Sequence, residues 1–155
     1  GNAVVSDVPA GNLANIALKA MEDALQAGAA HGCVVADVEA RLLAVSPFED
    51  GLTELGVRMA ALEAMKTALS QASPVLLEPI MSVELRMPPE YVGDCVNLLG
   101  AKNARILDVR TGDFDSGITA MAPMRQLFGF STELRSRTKG KAFYSMVFSR
   151  YDVEG

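Results

Sequence analysis

Apolar positions recur at three-to-four spacing over residues 12–27, where Leu13, Ile16, Ala20, Met21, Ala24 and Leu25 share one face of a helix. Asn12 stands where a cap belongs, and Gly28 and Gly32 stop the element. Ahead of it, Val4 and Val5 open a short strand-like segment ending at Pro9. Behind it, "CVVADVEARLLAV" (33–45) alternates. Val34, Ala36, Val38, Ala40 and Leu42 share one face, with Asp37, Glu39 and Arg41 interleaved, which predicts a strand. "SPFEDG" is a loop, and Thr53 caps a second helix. Its stripe is Met59, Leu62, Met65 and Leu69, and Met at that spacing is core packing.

Pro74 and Pro79 separate this helix from the next strand, so a domain boundary is placed near Pro74. "SVELRM" then alternates with Val83, Leu85 and Met87 inward, and "PPEYVGDCVNLLG" is a helix opened by proline. "RILDVRTG" and "SGITAMAP" are strands joined by a hairpin-type connection, "GDFDSG". Met124, Leu127, Phe128, Ser131 and Leu134 keep helical spacing, so the next helix is drawn through Gly129 at a cost of about 1 kcal/mol. "KAFYSMVFSRY" is the last strand, with its aromatics in the core. The expectation is an α+β chain. Residues 75–155 form a ferredoxin-like βαββαβ antiparallel sandwich, packed beside a partial βαβα domain at 1–74. Four elements in the first half give too few strands for a closed sheet, as in a domain whose opening strands lie elsewhere.

With 155 residues, half of them hydrophobic, the chain can bury roughly 70% of its unfolded surface. It starts without Met, as an excised or processed piece would, and no apolar run approaches the ~20 residues of a membrane span. Cys33 and Cys95 lack metal-type spacing and read as reduced core thiols of a cytoplasmic protein. His31 is the only histidine, its place before Gly32 is that of a helix terminus, and no G-x-S-x-G occurs. Zinc or triad hydrolase chemistry would therefore rest on one side chain.

Charge is uneven. Residues 1–74 carry nine acidic and four basic groups, and residues 75–155 carry ten of each. Within that neutral half, Arg135, Arg137, Lys139 and Lys141 occupy alternate positions in "LRSRTKGK". Thr138 adds a hydroxyl, and Gly140 a flexible backbone whose N–H groups suit phosphate oxygens.

Four segments, in this order, resemble the C-terminal end of translation elongation factor G: "PVLLEPIM" (74–81), "PPEYVGD" (88–94), "GFSTELRSRTKG" (129–140) and "FYSMVFSRYD" (143–152). "NAVVSDVPAG" and "GCVVADVEARL" are similar to the second part of the preceding domain. The resemblance implies that residues 1–74 end a fourth domain and that 75–155 make a complete fifth. It further implies a monomer acting on the ribosome. The fourth domain reaches the decoding region during tRNA–mRNA translocation. The fifth meets large-subunit rRNA near the stalk base and the sarcin–ricin loop through Arg135, Arg137, Thr138, Lys139 and Lys141. Tyr91 and Asn97 would meet RNA or the stalk protein, while Val92, Cys95, Val96 and Leu99 are core. GTP and Mg would belong to an N-terminal domain, because no G-x-x-x-x-G-K-[ST] occurs here, so this chain by itself has no cofactor, no metal and no catalytic residues. There are departures. "VSPFEDGLTELG" lacks the histidine of the family's fourth-domain loop, "AKN" (101–103) replaces Arg-Arg-Gly, and the family's glycine-rich basic tip segment is absent. They leave room for a paralogue in ribosome recycling or protection.

Two rivals are weighed. "KGKAFYSM" (139–146) fits an RNA-recognition signature at Lys139, Gly140, Ala142 and Phe143 and fails at Lys141, Tyr144 and Met146. It also falls on the last strand, where that module needs a further helix and strand. A ligand-binding ferredoxin-like regulatory domain predicts small-molecule stabilisation and no ribosome affinity.

Overall fold

The computed structural model describes residues 1–28, 32–46 and 51–155. The chain divides into two compact units, Gly1–Pro74 and Val75–Gly155.

In the first unit, β1 (Ala3–Ser6), α1 (Asn12–Ala27), β2 (Glu39–Leu42) and α2 (Glu54–Gln71) follow in order. The two strands pair in parallel, Ala3 opposite Glu39 through Ser6 opposite Leu42, with α1 as the crossover between them. Gly11, not Asn12, is the N-cap of α1, and the Asn12 amide instead donates to Glu54 Oε1 at 2.8 Å. Gly28 ends α1 in the left-handed region (φ 73°), where a Cβ would meet the Cys33 backbone nitrogen at 2.6 Å. The core joins Met21, Ala24 and Leu25 of α1 to Met65 and Leu69 of α2.

Several expectations for this unit are corrected. Ala14 and Ala17 are buried on α1, whereas Leu13 and Ile16 are only half-buried. The strand expected from Cys33 starts only at Glu39. Asp37 adopts a left-handed φ of 58°, which breaks the alternation. Val35 and Val38 therefore pack on the core, while Val34, Ala36 and Cys33 are exposed. On α2 the buried line is Val57, Met65 and Leu69, and Met59 is 58% exposed because two residues carry it about 200° round the helix. Thr53 does cap α2, its Oγ1 accepting from the Gly56 N–H at 3.0 Å. His31 and residues 47–50 of the "SPFEDG" loop lie outside the described residues.

The second unit runs β3 (Leu77–Met87), a 3-10 turn (Pro89–Tyr91), α3 (Val92–Ala101), β4 (Arg105–Arg110), β5 (Ser116–Pro123), a second 3-10 turn (Met124–Leu127), α4 (Phe130–Arg137) and β6 (Phe143–Val153). The sheet order is β4-β5-β3-β6 and every neighbouring pair is antiparallel. This is the ferredoxin-like split arrangement in an α+β chain. One sheet face supplies Val83, Leu85, Met87, Ile118 and Ala120. Onto it pack Cys95, Leu98 and Leu99 from α3 and Phe130 and Leu134 from α4. Both helices thus cover one face. Pro79 lies inside β3, longer than "SVELRM" suggested. It is tolerated there because only β6 pairs at that point, β5 joining from Ile80 onward. Glu78 beside it is a buried carboxylate, and the Arg125 guanidinium answers it.

Two further corrections concern this unit. The helix drawn through Gly129 is broken there. Phe128 is extended (φ −61°, ψ 131°) and Gly129 is left-handed (φ 76°), so α4 starts afresh at Phe130 and that ring enters the core. The aromatics of β6 do not fill the core. Phe143 is 74% exposed because the register of the edge strand β6 puts Phe143, Ser145 and Val147 on the face opposite the helices, and Phe148 and Tyr151, beyond the bulge, are exposed with their ring centroids 5.1 Å apart. Only Tyr144 reaches inward, meeting Phe130 edge-on with ring centroids 5.4 Å apart.

Candidate nucleic-acid interface

Four cations cluster where α4 gives way to β6. Arg135 and Arg137 occupy the last turn of α4, where positive charge complements the helix dipole. Two positions on a helix separate them by about 200°, so they splay to different sides and the alternate spacing does not line them up on one edge. Lys139 (φ 51°) and Gly140 (φ 74°) then turn the chain through two left-handed residues, and Lys141 leads into β6. All four side chains are exposed, and Arg135, Arg137 and Lys139 have no ion pair among the described residues. Lys141 stands 3.8 Å from a Glu90 oxygen and 5.9 Å from the centre of the Tyr91 ring.

Thr138 is placed differently from its expected role. It is 0% exposed. Its Oγ1 donates to the Leu134 carbonyl at 2.7 Å and accepts from the Ala142 N–H at 3.2 Å. The hydroxyl is spent inside the turn and has nothing to offer a phosphate. The backbone is committed as well, since the Gly140 N–H donates to the Arg135 carbonyl and the Lys141 N–H to that of Thr138, both at 2.9 Å. The expected backbone nest is closed by the helix's own C-terminal motif. Any anion held here is held by side chains, on a turn that Thr138 keeps rigid.

The helices of this layer run antiparallel, which brings Tyr91, at the start of α3, to the cationic end of α4 through Lys141. Asn97 is exposed midway along α3, away from that cluster in sequence. At the other end the Lys102 ammonium donates to Glu133 Oε1 at 2.7 Å and to the Phe128 carbonyl at 3.2 Å. Sequence reasoning missed Lys102 as a brace and Phe128 as a displayed ring. A Phe-Gly-Phe run with helical spacing on both sides hides its break, and only the left-handed glycine reveals it. Burial pushes the Cys95 thiol up to about 11, so it stays protonated and unreactive at neutral pH. Among the described residues no group of three His, Cys, Asp or Glu side chains could hold a metal ion, and no helix is long and apolar enough to cross a membrane.

A two-layer unit of this topology is a ferredoxin-like domain, a class with many unrelated functions. Sequence narrows the class, because residues 75–154 match the family described as elongation factor G C-terminus. The chain belongs to that family. A crystal structure of a protein from Thermus thermophilus is similar over 99% of this chain, with 26% identity and a TM-score of 0.81. This chain spans about a quarter of that protein's length, covering 24% of it.

Proposed function

We propose that this chain is the ribosome-contacting C-terminal part of an elongation factor G-like translational GTPase, supporting tRNA–mRNA translocation. Residues 75–155 act as its fifth domain and residues 1–74 as the end of its fourth. The similarity to a chain about four times as long, across both units, supports that division. GTP and Mg belong in this reading to an N-terminal domain of the parent protein. The observation that carries the reading is the turn from Arg135 to Lys141. Among the described residues three of its four cations are unanswered by carboxylates, on a support held by Thr138, in a half with no net charge. Cations left free in this way suit the phosphates of large-subunit rRNA. Tyr91 extends that edge through Lys141, and Asn97 is a further contact on α3. The "AKN" segment at 101–103 favours a second reading, a paralogue in recycling or ribosome protection, because Lys102 there is drawn into an internal brace.

Salt dependence of binding to purified large ribosomal subunits tests the reading. Four phosphate contacts give a slope of log affinity on log salt of at most roughly −3 to −4, and a shallower one where a side chain points to solvent. Arg137→Glu with Lys139→Glu is expected to weaken binding and flatten that slope by about 2, with the circular dichroism spectrum unchanged. Equal affinity and an equal slope would leave the turn a solvated surface and end the proposal.

A further inference from the structure

We propose that Phe128 is a base-stacking residue, receiving an unpaired nucleotide of the same RNA whose phosphates meet the Arg135–Lys141 turn. The inference rests on the ribosomal reading above and adds to it a contact that does not depend on charge. Phe128 is 74% exposed although its neighbours Leu127 and Phe130 are 7% and 1% exposed. Its exposure is therefore imposed by the chain. Extended geometry at Phe128 and the left-handed turn at Gly129 send the flanking side chains inward and this ring outward. The backbone beneath the ring is fixed as well, because the largely buried Lys102 side chain binds the Phe128 carbonyl and Glu133 together. A ring that a fixed backbone holds out into water is presented to a ligand that brings its own flat face.

Its placement favours RNA over protein. Among the described residues the one other large apolar side chain exposed at this turn is Met124, and two such side chains fall far short of the roughly 800 Å² per partner of a stable protein interface. Eight residues of α4, about 12 Å at 1.5 Å each, separate the Phe128 turn from the cationic end. A few nucleotides of one unpaired strand cover that distance. One strand could thus lay phosphates against the cations on one side of that turn and a splayed base on Phe128. Stacking of this kind accepts any base.

The sequence contains no tryptophan, so Phe128→Trp makes a single-tryptophan chain whose indole can be excited apart from the three tyrosines. With purified large ribosomal subunits, this variant is expected to bind within about twofold of wild type and its emission to be quenched, as ring-on-base stacking requires. Phe128→Ala should bind between about fivefold and a hundredfold more weakly while the salt slope stays at its wild-type value. The cation reversals change the slope, so the two contacts fail separately. If Phe128→Ala binds as wild type does while the cation reversals weaken binding, stacking is refuted and the ribosomal reading stands. A blue shift without quenching means a protein partner and also refutes it. No binding by the wild-type chain overturns both.

Discussion

The two units hold themselves together by different means. Of the nine buried apolar side chains that the first unit shows among its described residues, four are alanines on α1, and its sheet is two parallel strands with four paired positions. The second unit has a four-stranded antiparallel sheet, closed on one face by Phe130, Leu98, Leu99 and Leu134, none more than 2% exposed. Burial scales with side-chain size, at about 0.8 kcal/mol per methylene, so an alanine stripe contributes far less than a Phe-Leu layer. A pair of strands is also marginal without more sheet or a packed helix. The first unit should therefore be the weaker one. The contrast can be observed directly. All three tyrosines (Tyr91, Tyr144, Tyr151) are in the second unit, whereas α1 and α2, of 16 and 18 residues, hold most of the helix. In urea, helical circular dichroism should fall at lower concentration than tyrosine fluorescence changes. Coincident curves would mean the units unfold as one.

The largest expected effect is Phe130→Ala. The ring is fully enclosed between α4 and the sheet and touches Tyr144 edge-on, so its removal should cost about 3–5 kcal/mol. The tyrosine transition should move strongly and the early helical transition little. Met65→Ala reverses the test. It empties one of the three positions that α2 buries, in a small core shared with Met21, Leu25 and Leu69, so about 2 kcal/mol or more is expected, confined to the helical transition. A shift of both transitions by either variant would break the comparison.

The same contrast explains what the sequence disclosed. In the second unit the alternation of Val83, Leu85 and Met87 was legible because a sheet covered on one face selects for period two at every position. Leu134 was legible for the corresponding reason on a helix. What stayed hidden were backbone events with no hydrophobic signature. Asp37 at positive φ shortened β2, and Gly129 at positive φ split a helix whose spacing continued across the break. An edge strand also defeats composition, since β6 is as aromatic as a core strand while Phe143 and Tyr151 face solvent. The cationic residues of the candidate interface could be named from their order. The inward turn of Thr138 could not, because a threonine at a helix C-terminus reads alike whether its hydroxyl points out or back to Leu134.

Thr138→Val sharpens the comparison within the second unit. Valine fills the same space and leaves the Ala142 N–H without its acceptor in a half-buried place, so about 1–2 kcal/mol should be lost. If Thr138 only positions the cations, ribosome affinity should fall modestly with the salt slope kept. Thr138→Ser, which retains both hydrogen bonds, should restore most of that affinity.

The smallest effect expected is electrostatic and belongs to the first unit. The Lys19 ammonium, 3.2 Å away on the next helical turn, and then the Arg58 guanidinium of α2, 3.1 Å away, hold the Asp23 carboxyl below its ordinary value of 3.8. A carboxylate whose pKa is lower folded than unfolded stabilises the fold at pH values above its unfolded pKa. That contribution fades as the pH falls through the folded value. The helical transition should therefore weaken on acidification below about pH 4, while at neutral pH the contribution is fully present. Since the group is open to solvent, salt should mimic acid. At 1 M sodium chloride, where the Debye length is about 3 Å, part of the same stability should disappear at pH 7. Asp23→Asn keeps the shape and removes the charge, so it should lower the helical midpoint slightly at pH 7 and leave it less sensitive to both treatments. A variant as sensitive to acid as wild type would place the titrating group elsewhere in the unit. The bridge from α1 to α2 through Arg58 would then be structural decoration on a contact made by Met21, Leu25, Met65 and Leu69 alone.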